Sequence, residues 1–241
     1  RLALLANYER SRDWEHAAQI AQKLESDGQG SFKGRLSHYL CEQAASCVAA
    51  DKSSLALTYL AQAMHIAPEA PRPRMDLARI QFDQGNATLA CDTLTQAITA
   101  SASAIALIAP ALARYAIAAG QGTRTLDQLK AVYSHTPSLD VLDAIVALEA
   151  ASGAPSATAR EWYARHLENE PSLVAAAKWI AGEKLEHEQF HPQVQRALDH
   201  AVKPLTRYRC AACGFEAKQH FWQCPGCQAW DSYPARRVEE L

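Results

Sequence analysis

Four cysteines near the C-terminus have the spacing of a metal site. They form two CxxC pairs separated by ten residues: Cys210 with Cys213, and Cys224 with Cys227. Two such pairs that face each other present four thiolates at tetrahedral angles to one ion. Zinc and iron both accept this ligand set, so the spacing leaves the metal open. We therefore predict one tetrahedral four-thiolate metal ion, iron or zinc, with these cysteines as its ligands.

The residues around the cysteines suit the turns of such a site. Gly214 follows the first pair, where positive φ is common, and Pro225 with Gly226 fixes the second turn. The segment 204–241 is too short to bury a sufficient core alone, whereas a structural metal contributes on the order of 10 kcal/mol of folding free energy. The alternative is two disulfides or buried thiols. The odd number of cysteines in the chain, seven, favours a reducing compartment and a metal instead.

Five aromatic residues lie among the cysteines or just after them: Phe215, Phe221, Trp222, Trp230 and Tyr233. They carry more apolar surface than so small a unit can bury internally, so we expect several of them to dock onto the preceding helices. The alternative is that they pack only on one another and on the metal-binding loops.

A second pattern, HExxH at residues 187–191, is the signature of zinc proteases. Its chemistry needs His187 and His191 on one face of a continuous helix, with Glu188 beside the bound water. Pro192 disfavours helical geometry at His191, so we expect the helix to end before the second histidine and the motif to lie in a surface loop. We reject catalysis there.

Neither the remaining cysteines nor any other motif indicates catalysis. Cys41, Cys47 and Cys91 lie among alanines in helical segments, where a thiol behaves as a small apolar residue, and we expect buried packing. The sequence contains no glycine-rich phosphate loop and no nucleophile elbow. We predict no catalytic residues, no organic cofactor and no enzyme activity.

The composition is that of a packed, water-soluble chain. Hydrophobic residues make up 49 % of the 241 residues and charged residues 21 %, which excludes a disordered chain. The net charge of −2 gives no global attraction to nucleic acid or to an anionic membrane. The most apolar stretch, 102–119, is interrupted by Pro110 and Arg114. Because the sequence starts at Arg1 and not at methionine, we expect a soluble part of a longer protein.

The elements that position the cysteines are predicted to be helical repeats. Ala56, Leu60 and Ala63 return as Ala90, Leu94 and Ala97, 34 residues later, which is the tetratricopeptide period. Alanine lets two helices cross closely, while the large residue fills the groove of the next helix. A plain helical bundle is the alternative, but it does not require this period.

Further repeats extend in both directions. Trp14, Ala17, Ala21 and Leu24 fit the second half of a truncated first repeat, and a later unit covers 141–171. The segments 104–133 and 172–202 show helical periodicity with weak repeat signatures. We predict an all-α, tetratricopeptide-type solenoid at residues 1–203 and a rubredoxin-like or zinc-ribbon domain at 204–241. Such a solenoid suits protein partners.

The repeats, the segment HYLCE at 38–42, and the terminal YRCAACGF and FWQCPGCQAW together resemble the lipopolysaccharide assembly protein B (LapB) family. The resemblance covers nearly the whole chain and is sharpest over 208–230. It implies cytoplasmic tetratricopeptide repeats with a rubredoxin-type metal domain packed against them, anchored to the inner membrane by an N-terminal helix that precedes this sequence. The family residues that carry over are the metal ligands Cys210, Cys213, Cys224 and Cys227.

The resemblance also implies an activity. Members of this family are non-catalytic adaptors that restrain lipopolysaccharide synthesis by promoting degradation of the LpxC deacetylase by the membrane protease FtsH. The implied partners are therefore FtsH, LpxC and lipopolysaccharide-assembly membrane proteins, at the cytoplasmic face of the inner membrane. The formation of homo-oligomers is left open.

Two alternatives concern the metal domain. Zinc ribbons often contact phosphates, and basic residues lie near the cysteines, namely Arg207, Arg209, Lys218, Arg236 and Arg237. The excess of bases from residue 203 onward is small, however, so no nucleic-acid partner is expected. A four-thiolate iron site could transfer electrons, but Gln228 replaces the glycine that redox rubredoxins carry after the second pair. That departure favours a structural site.

Overall fold

The computed structural model of the chain describes residues 1–184 and 187–241, most of which are helical. The helices of these residues are α1 (Leu2–Ser11), α2 (Trp14–Ser26), α3 (Lys33–Ala49), α4 (Ser53–Ile66), α5 (Pro71–Asp83), α6 (Ala87–Ala100), α7 (Ile105–Ala118), α8 (Gly122–His135), α9 (Leu139–Ala151), α10 (Ser156–Asn169), α11 (Leu173–Ala181) and α12 (His191–Val202). Two short antiparallel strands follow, β1 (Tyr208–Arg209) and β2 (Glu216–Ala217). The predicted fold class, helical repeats followed by a small four-cysteine ribbon, is confirmed.

The repeat period continues through the segments whose signatures are weak. Helices α5, α7, α9 and α11 begin at Pro71, Ile105, Leu139 and Leu173, at intervals of 34 residues. The degenerate units expected over 104–133 and 172–202 therefore keep the spacing of the clear ones. Residues 185 and 186 of the second segment lie outside the described residues.

The second helix of each hairpin places equivalent residues in the core. In α4 and α6 they are Ala56, Leu60, Ala63, Ala90, Leu94 and Ala97, each at most 1 % exposed. These are the fourth, eighth and eleventh residues of each helix. At the same places in α8, Thr125 and Leu129 are buried and Val132 is half-buried. In α10 the last two places hold Tyr163 and His166, both buried. Thr125 and Val132 in place of alanine explain why the repeat signature over 104–133 is weak.

The chain divides into two compact units, Arg1–Ala104 and Ile105–Leu241. In the first unit, Cys41 packs with Leu40, Ala44 and the core face of α4. Burial raises the pKa of the Cys41 thiol well above its usual range. Cys91 is also buried and Cys47 is half-buried. The expected buried packing therefore holds for Cys41 and Cys91, whereas Cys47 is only partly buried against the core.

The second unit contains the later hairpins and the cysteine segment. Its core includes Leu139 and Leu142 of α9, Tyr163 of α10 and Val174 of α11. The predicted domain boundary at 203/204 lies inside this unit and stays a prediction. Among the described residues, no helix combines the length and the apolar character that crossing a bilayer requires.

Candidate metal centre

Two hairpins of the same design carry the four cysteines. The amide of Gly214 donates to the carbonyl of Cys210 at 2.8 Å, and the amide of Gln228 donates to that of Cys224 at 2.8 Å. Both Gly214 and Gln228 have positive φ, +77° and +62°. The pairing of Arg209 with Glu216 recurs as the bridge between Gln223 and Trp230. Each hairpin therefore turns sharply at its CxxC pair and points two sulfurs to the same place.

The four sulfurs have the separations of a tetrahedral ligand set. All four lie within 4.8 Å of one another. Sγ of Cys210 lies 3.8 Å from Sγ of Cys227, and Sγ of Cys213 lies 3.7 Å from Sγ of Cys224. A tetrahedron with metal–sulfur bonds of about 2.3 Å has edges of about 3.8 Å. The cysteines thus form a potential tetrahedral metal site, and the residues present fit a zinc or iron ion.

Hydrogen bonds around Cys210 favour its thiolate. Burial tends to raise the pKa of this thiol, but a hydrogen bond with Ser232 and hydrogen bonds from the amides of Cys213 and Ala212 lower it to about 6. Oγ of Ser232 lies 3.3 Å from the sulfur. The two amides offset the negative charge that a metal-bound sulfur carries.

The second hairpin repeats this arrangement. Burial acts against the thiolate of Cys224, and the amides of Cys227 and Gly226 outweigh it, so the pKa of Cys224 is lowered.

At Cys213, in the first hairpin, the amide of Phe215 lowers the pKa of the thiol, but burial and the neighbouring cysteines raise it to about 12. Four negative sulfurs repel one another at these distances. A bound divalent or trivalent cation removes that repulsion.

A small apolar cluster supports the sulfurs from one side. Cys210 and Cys224 are buried with Tyr208 and Tyr233, while Cys213 and Cys227 are exposed. The hydroxyl of Tyr233 donates to the carbonyl of Phe215 at 3.1 Å. Each hairpin therefore contributes one shielded and one solvent-facing sulfur.

The aromatic residues near the cysteines have different surroundings. Phe221 packs against the apolar cluster, as does Leu107 of helix α7. Trp222 and Trp230 are half-buried, and Phe215 is 44 % exposed. A Cβ at Gly226 would lie 3.3 Å from the ring of Phe215, so this ring closely covers the second CxxC turn. Leu107 thus gives the cluster a contact with the helices, while Phe215 packs within the ribbon.

Comparison with known proteins bears on the whole chain. Residues 208–233 match the family model Zn_ribbon_LapB, described as the rubredoxin metal binding domain. The chain is 24 % identical over 245 residues to lipopolysaccharide assembly protein B of Escherichia coli K12, covering 99 % of this chain and 62 % of the relative. The same values hold for the proteins of that name from strains O6:H1 and O157:H7. The resemblance to LapB is confirmed. The chain spans about 62 % of the length of these curated relatives.

The C-terminal segment of this LapB-like chain closes over two helix ends. The carboxylate of Glu239 accepts hydrogen bonds from the amides of Leu173 and Val174 at 2.6 and 3.1 Å, at the start of α11. The carboxylate of Glu240 accepts one from the amide of Leu139 at 2.8 Å, at the start of α9. Carboxylates at these positions satisfy amides that have no partner within the helix.

Arg237 ties the same segment to α9. Its guanidinium donates to Asp140, to the carbonyl of Thr206 at 2.8 Å, and lies 4.2 Å from the ring centre of Tyr208. The sequence marked Arg237 only as one of several basic residues near the cysteines. No local pattern reveals its partner, because Asp140 is 97 residues away in the chain.

The HExxH motif does not form a zinc site. His187 precedes a short turn at Glu188–Phe190, and His191 is the first residue of α12, so the two histidines do not share a helix. Our expectation that Pro192 would keep His191 out of a helix is wrong: His191 has helical angles. Proline is tolerated in the first turn because its missing N–H would have no partner within the helix there. Among the described residues, neither histidine joins a group that could hold an ion.

Proposed function

We propose that this chain is the repeat and metal-binding part of a non-catalytic adaptor that regulates lipopolysaccharide synthesis. The observation that carries the proposal is the 24 % identity to lipopolysaccharide assembly protein B, which extends over 99 % of the chain. Both halves of the predicted architecture accompany it, the helical hairpins and the four clustered sulfurs. The name of the relative describes an assembly protein and not an enzyme.

In this proposal the chain promotes degradation of the LpxC deacetylase by the FtsH protease. The helical hairpins bind the protein partners, and the parent protein holds them at the cytoplasmic face of the inner membrane. Stacked helical hairpins favour this role because each adds a further side-chain surface without requiring chemistry. The adaptor thereby limits the amount of LpxC, the enzyme that commits precursors to lipid A synthesis.

The metal has a structural role in this proposal. One zinc or iron ion bound by Cys210, Cys213, Cys224 and Cys227 holds the two CxxC hairpins together. The hairpins bury only a few residues of their own, so their folding depends on the ion. Through Leu107 and Arg237, the folded ribbon then stabilises the ends of helices α7 and α9.

The contacts of the basic residues count against the nucleic-acid alternative. Arg209 donates two hydrogen bonds to Glu216 at 3.0 and 2.8 Å, and Arg207 lies 3.6 Å from the same carboxylate. Arg237 is bound by Asp140. Two of the five basic residues near the cysteines, Arg209 and Arg237, are therefore held closely by carboxylates of the protein, and nucleic-acid phosphates would have to displace those carboxylates.

The proposal is tested by the lifetime of LpxC in the cells that make this protein. We expect deletion of the parent gene to lengthen the half-life of LpxC, measured by immunoblot after translation is blocked. The wild-type parent should restore rapid degradation, whereas the parent carrying Cys213→Ser should not. A parent carrying Cys47→Ser, at a cysteine outside the site, is the matched control and should restore it. An LpxC half-life unchanged by the deletion would overturn the proposal.

A further inference from the structure

A cleft in the second unit lies beside the ribbon and is distinct from the four sulfurs. Its volume is about 460 Å³, which is in the range of small-molecule sites. Its apolar lining residues are Leu139 and Val174, the first and second residues of helices α9 and α11. Both are less than 5 % exposed, so they form the floor of the cleft and present only a small part of their side chains to it.

The remaining walls carry an excess of positive charge. Five lining residues are basic and two are acidic: Lys178, Lys203, Arg207, Lys218 and Arg237 against Asp140 and Asp143. This balance of +3 contrasts with the net charge of −2 for the whole chain. A local cationic cleft on a weakly acidic protein attracts anions to that place alone.

The two acidic residues of the cleft are already neutralised. Asp140 is bound by Arg237, and Asp143 is bound by Lys178 and accepts a hydrogen bond from the hydroxyl of Tyr163 at 2.9 Å. They therefore orient basic residues and do not cancel the rest of the positive charge.

Two lysines of the cleft have no acidic partner in the part of the chain that the structure describes. Within residues 1–184 and 187–241, no carboxylate lies within 4.0 Å of the ammonium group of Lys203 or Lys218. In the same described ranges, the guanidinium of Arg207 has one ion-pair contact, at 3.6 Å with Glu216, a carboxylate that Arg209 binds more closely. Three basic side chains thus remain to bind a ligand that carries more than one negative charge.

We propose that this cleft binds a phosphorylated small molecule. The phosphate lies between Lys203, Lys218 and Arg207, and a nonpolar part of the ligand contacts Leu139 and Val174. A phosphate monoester carries roughly −1.5 to −2 charges at pH 7 and three strong acceptor oxygens, which a carboxylate does not match. The apolar floor favours a substituted phosphate over the bare ion. The proposal stands on the cleft alone and not on the adaptor function.

Calorimetric titration of the 241-residue chain with phenyl phosphate at low ionic strength tests this site. We expect saturable one-to-one binding that Lys203→Gln/Lys218→Gln weakens at least tenfold. The double variant Lys23→Gln/Lys52→Gln removes the same charge from exposed lysines of the first unit and should bind like the wild type. Metal content and the thermal midpoint show that each variant is folded, and Lys218→Gln alone provides a milder second test.

Vesicles of phosphatidylcholine with and without phosphatidic acid identify the source of the phosphate. Cosedimentation with phosphatidic acid vesicles that phenyl phosphate reverses assigns a lipid headgroup, whereas binding of phenyl phosphate alone assigns a soluble compound. Either result supports the site if Lys203→Gln/Lys218→Gln abolishes the binding that the wild type shows. The proposal is overturned if the wild type binds neither probe, if the lysine variant binds as the wild type does, or if benzoate binds as tightly as phenyl phosphate.

Discussion

Arg237 and Asp140 form a two-point ion pair that joins the end of the chain to helix α9. Nε and Nη2 of Arg237 donate to the two carboxylate oxygens of Asp140 at 2.9 and 2.8 Å. Asp140 is 6 % exposed, and hydrogen bonding to Asp140 raises the pKa of Arg237 against the opposing effect of burial. This pair is one of the contacts that join the C-terminal segment to the hairpins of the second unit, beside those of Glu239 and Glu240.

Removal of the guanidinium should therefore destabilise the second unit. We expect Arg237→Gln to lower the free energy of unfolding by about 3 kcal/mol, because it leaves the carboxylate of Asp140 buried without its cation. Urea denaturation followed by circular dichroism measures the change. Arg236→Gln alters the neighbouring exposed arginine and should cost less than about 0.5 kcal/mol. Equal effects of the two variants would contradict the role assigned to the ion pair.

The left-handed backbone at Gln228 predicts a stabilising substitution. Gln228 has φ of +62°, a conformation that costs a non-glycine residue about 1 kcal/mol and that glycine adopts freely. We expect Gln228→Gly to stabilise the ribbon by about 1 kcal/mol and to slow the release of metal to a chelator. Gln219→Gly, at an exposed residue outside the positive-φ set, should be neutral or destabilising. A faster release from Gln228→Gly would show that the strain is absent.

The sulfur geometry predicts one metal ion per chain. Elemental analysis of purified protein should find zinc or iron at a ratio of about one, and visible absorbance should distinguish ferric iron from zinc. Cys213→Ser should lose the metal and lower the thermal midpoint, because the ribbon then lacks its main source of folding free energy. Cys47→Ser, far along the chain from the site, should keep the metal. A folded wild-type protein without metal would exclude the structural role.

Acid should weaken the second unit through His166. Burial lowers the pKa of this histidine below its usual value of 6.5, against the opposing effect of nearby glutamates. The unfolded chain therefore binds a proton more readily than the folded one, so the stability contributed by neutral His166 is present above pH 6.5 and is lost as the pH falls through its lower folded pKa.

The measurement is the free energy of urea unfolding between pH 7.5 and pH 5, in wild type and in His166→Asn. The variant should show a shallower decline on acidification, even if it is less stable at pH 7.5 because it loses the contact of 2.7 Å with the hydroxyl of Tyr133. His65→Asn, at an exposed histidine, should keep the slope of the wild type. If the free energy of unfolding of His166→Asn declined with falling pH as steeply as that of the wild type, the lowered pKa of His166 would be contradicted.

Local sequence patterns predict the parts of this protein that local chemistry determines. The spacing of Cys210, Cys213, Cys224 and Cys227 suffices because two short turns place the sulfurs. The clear repeats are equally visible because their alanines stand at helix crossings. Tyr163 and His166 belong to the later repeat predicted at 141–171. Their hydrogen-bond partners, Asp143 and Tyr133, lie 20 and 33 residues earlier and could not be predicted from that pattern.

The closing contacts of the C-terminus escape prediction for another reason. The amides that Glu239 and Glu240 cap lie 65 to 101 residues earlier in the chain. The sequence does not indicate which amides these acidic residues bind, because the start of every helix has free amides that could accept the role. The basic cleft is hidden in the same way, since its lysines come from separate segments.

The four sulfurs differ in exposure, and this difference determines the order in which a reagent from solution reaches them. Cys213 and Cys227 are exposed, while Cys210 and Cys224 are buried in a cluster with Tyr208 and Tyr233. An oxidant or a competing thiophilic ion arriving from the medium meets one ligand from each hairpin first. Oxidation or displacement at Cys213 and Cys227 would therefore affect both CxxC turns together. The buried Cys210 and Cys224 would react last.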